Sequence, residues 1–137
     1  MLLRNFVLLF LPIFVSCAIY LNWAQDPFQF DAPYWAIKIL VWAAFWGFFF
    51  YSGYCTLKED LFDTVKKIVG WHFGRQICLD LYLGLGVMLF VMFLNEPTLL
   101  GFLAWAIPTL FYVNILTLLY VAIHFDQIVA KLLTVIG

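Results

Sequence analysis

Four uninterrupted apolar stretches, at about 3–21, 34–54, 76–94 and 99–123, constrain this 137-residue chain more than any other feature. Each supplies the roughly 20 apolar residues with which an α-helix crosses a hydrocarbon core of ~30 Å. None shows the ten-residue alternation of a membrane β-strand, so helices are expected and a β-barrel is not. The charged surface of a water-soluble domain is missing. Only 11% of the residues are charged and 66% are hydrophobic, whereas soluble domains carry about a quarter charged. The expectation is an all-α polytopic integral membrane protein, one transmembrane domain over 1–137, embedded in a lipid bilayer. Seven Lys plus Arg against eight Asp plus Glu leave a net charge of −1, which gives nucleic acid no electrostatic footing as a partner.

The connections set the topology. A first loop falls near 22–33 and a second near 55–75, while only Asn95-Glu96-Pro97-Thr98 separates the last two stretches. So tight a turn predicts an antiparallel pair, and the four spans read as two antiparallel hairpins. Arg4, Lys58, Lys66, Lys67, Arg75 and Lys131 then share one side, six of the seven basic residues. The other side holds Asp26, Asp31 and Glu96, with Lys38 nearby. Positive charge stays inside, so both termini and the second loop are expected in the cytoplasm. Short loops and the lack of a glycosylation acceptor point to a bacterial inner membrane. Ser16-Cys17-Ala18 after an apolar run also fits a cleaved signal peptide. The run continues through Ala18-Ile19-Tyr20-Leu21, as a retained span would. The mass of the mature N-terminus separates these readings, and an uncleaved first span is the expected outcome.

Helix ends are punctuated. Asp31 before Pro33 reads as an N-cap and first-turn proline opening the second span. Thr56-Leu57-Lys58-Glu59 has capping-box spacing. Behind it, Leu61, Val65, Ile68, Val69 and His72 recur on one helical face, with Gly70 as a stop. This predicts an amphipathic segment over about 57–69 lying on the cytoplasmic membrane surface, or an extension of the second span. The tail from Phe125 to Gly137 has the same character, through Ile128, Val129, Leu132, Leu133 and Ile136.

Few residues carry chemistry. Asp80 lies about one and a half turns inside the third span, where a carboxylate is costly and normally paired. The fourth span runs the other way, so depth matching makes a cluster of Arg75, Asp80, Tyr120 and His124 at the cytoplasmic mouth geometrically possible. Asp80 then either fixes helix register, relays a proton or ion, or meets a substrate or lipid headgroup. Asn114, at mid-depth, falls opposite Gly84 and Gly86 and is expected to bond across the helices. Ala43 and Gly47 form a further small-residue notch. Lys38 is read as an anchor reaching water beside Tyr34 and Trp35 to meet Asp31 or Asp26. The dense aromatics of the second span, Trp42, Phe45, Trp46 and Phe49 among them, are read as packing. Nothing in the spacing makes His72 and His124 face each other across a haem, and no ligand set has metal spacing. No cofactor is expected. Cys17, Cys55 and Cys78 form no Cys-x-x-Cys pair and read as small core residues.

Asp80-Leu81-Tyr82-Leu83-Gly84, followed by Glu96 in the outer turn and Trp105 in the last span, resembles a pattern in small bacterial four-span membrane proteins of unassigned activity. The resemblance covers about 60 residues, implies a compact four-helix protein and transfers no catalytic role. Three functions stay open. The chain is an accessory or assembly subunit of a larger membrane complex, which its small size and many aromatics favour. Alternatively it is a small oligomeric transporter or ion path using Asp80 and Asn114. In the third reading it is a membrane enzyme or binder acting on lipid or isoprenoid, with Asp80, His124 and Arg75 at the site. A protein partner or a second copy is expected in the first two.

Overall fold

The structure is a computed structural model that describes residues 2–31 and 34–137, without the side chains of residues 2–4 and 7. Among the described residues it is all-helical: α1 (Leu2–Leu21), α2 (Trp35–Lys58), α3 (Leu61–Val69), α4 (His72–Asn95), α5 (Leu99–Ile123) and α6 (Phe125–Ile136). One turn of 3₁₀ helix, Trp23–Gln25, follows α1. By length and composition α2, α4 and α5 can cross a membrane, which makes this an integral membrane protein.

Helix α5 is not straight. Tyr112 (φ −107°, ψ 20°) and Val113 (φ 8°, ψ −90°) leave helical geometry in its middle. Trp105 and Tyr120 would stand ~22 Å apart along a straight helix, yet their rings meet at 5.1 Å. Glu96, just before α5, lies 3.6 Å from His124, just after it. The helix therefore turns back on itself, with an inbound limb from Leu99 to Phe111 and an outbound limb from Asn114 to Ile123. Pro108, which removes a backbone donor, sits one turn before the break.

The fold-back corrects three expectations. The last two spans are not a simple hairpin of two crossing helices, because the second returns to the end where it started. The termini do not share an end. Lys38, at the start of α2, bonds Asp126 of α6, and Lys131 of α6 bonds Asn95 at the end of α4. The C-terminal helix thus packs beside residues 22–31, while Leu8, Leu11 and Pro12 of α1 share a cavity lining with Gly53, Tyr54 and Leu57 near the far end of α2. Depth matching across a straight fourth span also fails, which separates residues expected to cluster.

Burial follows the same logic. Half of the apolar window of α5 is buried in protein, against 11% for α4. Leu116, Leu119, Tyr120 and Ala122 of the outbound limb are fully enclosed, with Phe45 and Met92 beside them. Rings of α1 line the inbound limb: Phe14 meets Trp105 edge-on at 5.5 Å and Phe10 stacks on Tyr112 at 5.9 Å. The aromatics of α2 form a packed ladder from Trp42 through Phe45 and Trp46 to Phe49.

Two capping expectations also change. Tyr34, not Asp31, caps α2, in a left-handed conformation (φ 68°) and without a side-chain bond. The proline part of that reading, Pro33, lies outside the described residues. Thr56 remains inside α2 and bonds the Ser52 carbonyl at 2.9 Å, because the helix runs on to Lys58. Asp60 caps α3 instead, accepting from the Phe62 and Asp63 amides. That helix begins at Leu61, later than the predicted 57, and ends at Gly70 as expected. Gly74 is required where α3 approaches α4, since an added Cβ would collide with the Ile68 carbonyl. A straight α5 puts a C-terminal reporter on the same side of the membrane as the α2–α4 connection. The fold-back predicts opposite sides, which a reporter after Gly137 and a label at Lys67 will report together.

Candidate functional site

The turn Asn95–Thr98 sets a polar cluster at the end of the bundle where α5 both begins and finishes. Thr98 caps α5 by accepting from the Gly101 amide at 3.1 Å. Gly101 leaves room for the Glu96 carboxylate, whose Oε2 would stand 2.8 Å from an added Cβ. Glu96 Oε1 accepts from the Tyr120 hydroxyl at 2.9 Å and faces His124 Nε2 at 3.6 Å. The Tyr120 hydroxyl in turn accepts from Asn95 Nδ2 at 2.9 Å, and Asn95 Oδ1 accepts from Lys131 at 2.8 Å. Trp105 closes the cluster, its ring edge-on to both Tyr120 and His124.

The protonation of His124 follows from its partners. Its Nδ1 lies 3.1 Å from the Tyr120 carbonyl, which can only accept, so Nδ1 carries a hydrogen. Nε2 then faces a carboxylate and gains an attraction only when the ring holds a second proton. Burial acts the other way and is stronger: His124 is 3% exposed, and desolvation pulls its pKa below the ordinary value despite Glu96 and the carbonyl. Lys131 adds a smaller push in the same direction as burial.

A second buried charge lies nearby. Lys38 is 1% exposed and donates to the Asp126 carboxylate at 2.6 Å and to the carbonyls of Gln29 (2.8 Å) and Asp26 (3.3 Å). The expected anchor meets Asp26 through its backbone, but it is sealed from water, and its carboxylate partner comes from α6. An ammonium buried this deeply needs each of these acceptors.

The expected five-residue cluster divides. Tyr120 and His124 are neighbours, joined by Glu96. Arg75 and Asp80 are not with them, because Tyr120 contacts the turn after Asn95, fifteen residues or ~22 Å beyond Asp80 on α4. Arg75 instead donates to His72 Nδ1 at 2.9 Å. Asp80 is exposed and accepts no hydrogen bond among the described residues. Asn114 begins the outbound limb and lines a cavity, and its amide makes no bond across the helices. A Cβ added at Gly84, Gly86 or Gly47 would meet nothing within 4 Å, so the small-residue notches are unfilled among the described residues.

Sequence reasoning passed over Glu96 and Asp126 because it took the last apolar stretch as one crossing. Pro108 and Asn114 together, interrupting an apolar run, are the signal that marks a broken helix at membrane depth. Comparison with protein-family models, with characterised proteins and with solved structures returns no match.

The sign of the pH dependence is fixed by the lowered His124 pKa. Neutral His124 stabilises the fold above the unfolded-state value of about 6.5. Stability is lost as pH falls below it, because the unfolded chain takes up a proton that the folded chain refuses. Thermal unfolding in mild detergent between pH 8 and 5 is expected to show this loss, with a slope of at most ~1.4 kcal/mol per pH unit for one proton. His124→Gln flattens the profile in that range. Tyr120→Phe costs roughly 1–3 kcal/mol at all these pH values by leaving Asn95 and Glu96 unsatisfied.

Proposed function

We propose that this chain is an accessory or assembly subunit of a larger membrane complex and that it docks through α4. The observation that carries this reading is Asp80. Its carboxylate lies eight residues, ~12 Å, inside a helix whose apolar window is 11% buried, and no described residue gives it a hydrogen bond. An ionisable group at such depth is costly unless something pairs with it. Gly84, one turn on, presents no side chain and lets a neighbouring backbone come close. A partner helix bearing a basic or amide side chain at this depth satisfies both features.

In the membrane arrangement that goes with this reading, α1, α2 and α4 cross and α5 is re-entrant. Arg4, Lys58, Lys66, Lys67 and Arg75 stand at the end that includes α3, five of the seven basic residues. By the positive-inside rule this end faces the cytoplasm. Helix α6 then lies on the opposite side, and the short connections suit a bacterial inner membrane.

A second reading, a small oligomeric transporter or ion path, is favoured by the broken helix itself, since interrupted helices at membrane depth line substrate paths in transporters. Native mass spectrometry of the protein extracted gently from its own membranes decides between them. The first reading expects a stoichiometric protein partner that Asp80→Leu releases. The melting temperature of the chain itself should stay within ~2 °C, because Asp80 makes no internal bond. A homo-oligomer whose ion flux in proteoliposomes is abolished by Asp80→Asn would replace the first reading with the second. A partner retained by Asp80→Leu would refute docking through this residue.

A further inference from the structure

The tip of the α5 fold-back opens into a cavity of about 320 Å³ that the polar cluster does not use. We propose that this cavity binds a single-chain amphiphile with a neutral hydroxyl head group. The inference is independent of docking through α4 and concerns residues outside the Glu96–His124 cluster.

The backbone supplies the first argument. At Tyr112 and Val113 the inbound limb ends and the outbound limb begins. Carbonyls of one limb and amides of the other therefore lose their intrahelical partners. Thr117 donates to the Val113 carbonyl at 2.8 Å, but that carbonyl opens the outbound limb and is not one of these groups. These groups border the cavity, where water or a polar ligand can meet them.

Side chains around the same space supply the second. Ser52 and Asn114 line it and make no side-chain hydrogen bond among the described residues. Glu59 also lines it, with Oε2 engaged by the Thr64 hydroxyl at 3.2 Å and Oε1 free. Glu59 is the charged residue of this lining, and no Lys or Arg joins it. Such a wall repels an anionic head and accepts a hydrogen-bond donor, while the Asn114 amide can donate in return. Phe48, Leu81 and Phe111 make the remaining wall apolar.

Size supplies the third. At ~30 Å³ for each water-sized group, the cavity holds a head group and part of one chain, and not two chains. A hydroxyl donating to Glu59 and accepting from Asn114, with its chain against Phe48 and Leu81, matches the polar and the apolar parts of this lining.

Cys55 also lines the cavity and reports on it directly. In a C17S/C78S background reconstituted in nanodiscs, maleimide labelling of Cys55 is followed while oleoyl monoacylglycerol or oleoyl lysophosphatidate is added. The proposal expects monoacylglycerol to slow labelling at least ~10-fold, saturating at one per chain. Lysophosphatidate, with the same chain and an anionic head, should need at least ~10-fold more lipid, a difference of about 1.4 kcal/mol in binding. Ser52→Leu, which fills the cavity, should abolish protection by either lipid, and Glu59→Gln should narrow the gap between them. Absence of saturable protection overturns the proposal. So does equal protection by both head groups, or protection that survives Ser52→Leu. The head-group comparison in the cysteine background keeps the test decisive if a cavity variant fails to fold.

Discussion

A long apolar helix that turns back on itself leaves backbone amides and carbonyls at the break without intrahelical partners, and the rest of this fold answers that constraint. The break at Tyr112 and Val113 joins an inbound limb, packed by rings of α1 but exposed along its other side, to an outbound limb whose side chains are largely buried among α2 and α4. Aromatic side chains suit this enclosure. They fill wide gaps between helices with few rotatable bonds, and edge-to-face pairs add attraction beyond the buried area. At the tip itself enclosure stops, and a cavity takes over.

The mouth of the hairpin is held by charge and hydrogen bonds. Glu96 comes before the inbound limb, and Tyr120 and His124 close the outbound one, so their contacts clamp the two ends of α5 together. Lys131 ties α6 to the same point through Asn95. Lys38 ties α6 and the 22–31 loop to α2. The Lys131 bonds are exposed, but those of Glu96, Tyr120 and Lys38 lie under partial burial, where an unmet partner is expensive. They specify one arrangement of the segments, whereas apolar packing alone would admit several. Helix α4 is the contrast. Its outer face is exposed and carries Asp80, which accepts no hydrogen bond among the described residues, and Gly84.

Much of the fold was legible in the residues. Apolar stretches of spanning length predicted helices at 34–54, 76–94 and 99–123, and helices occupy all three. The amphipathic spacing of Leu61, Val65, Ile68 and Val69 forecast α3, and Gly70 its end. The candidate site was legible only in part. Tyr120 and His124 do share a cluster, but their carboxylate is Glu96 and not Asp80. Hydropathy scores a residue by its side chain and is blind to the direction in which the chain travels. A 25-residue apolar run and a re-entrant hairpin of two limbs therefore look alike, save for Pro108 and Asn114 within it.

The sequence by itself determined that this protein belongs in a membrane and is built of helices, because apolar content and segment length are local properties that no tertiary contact can reverse. It also determined that few polar groups exist to do chemistry. Only the tertiary structure decided which of them meet. Whether α5 crosses or returns depends on two backbone residues and on the aromatic surfaces that enclose its limbs. That choice moves α6 from one end of the bundle to the other, pairs Lys38 with Asp126 and Glu96 with His124, and leaves Asp80 facing outward. Pairings between residues 24 to 88 positions apart are set by packing, and packing is a property of the whole fold.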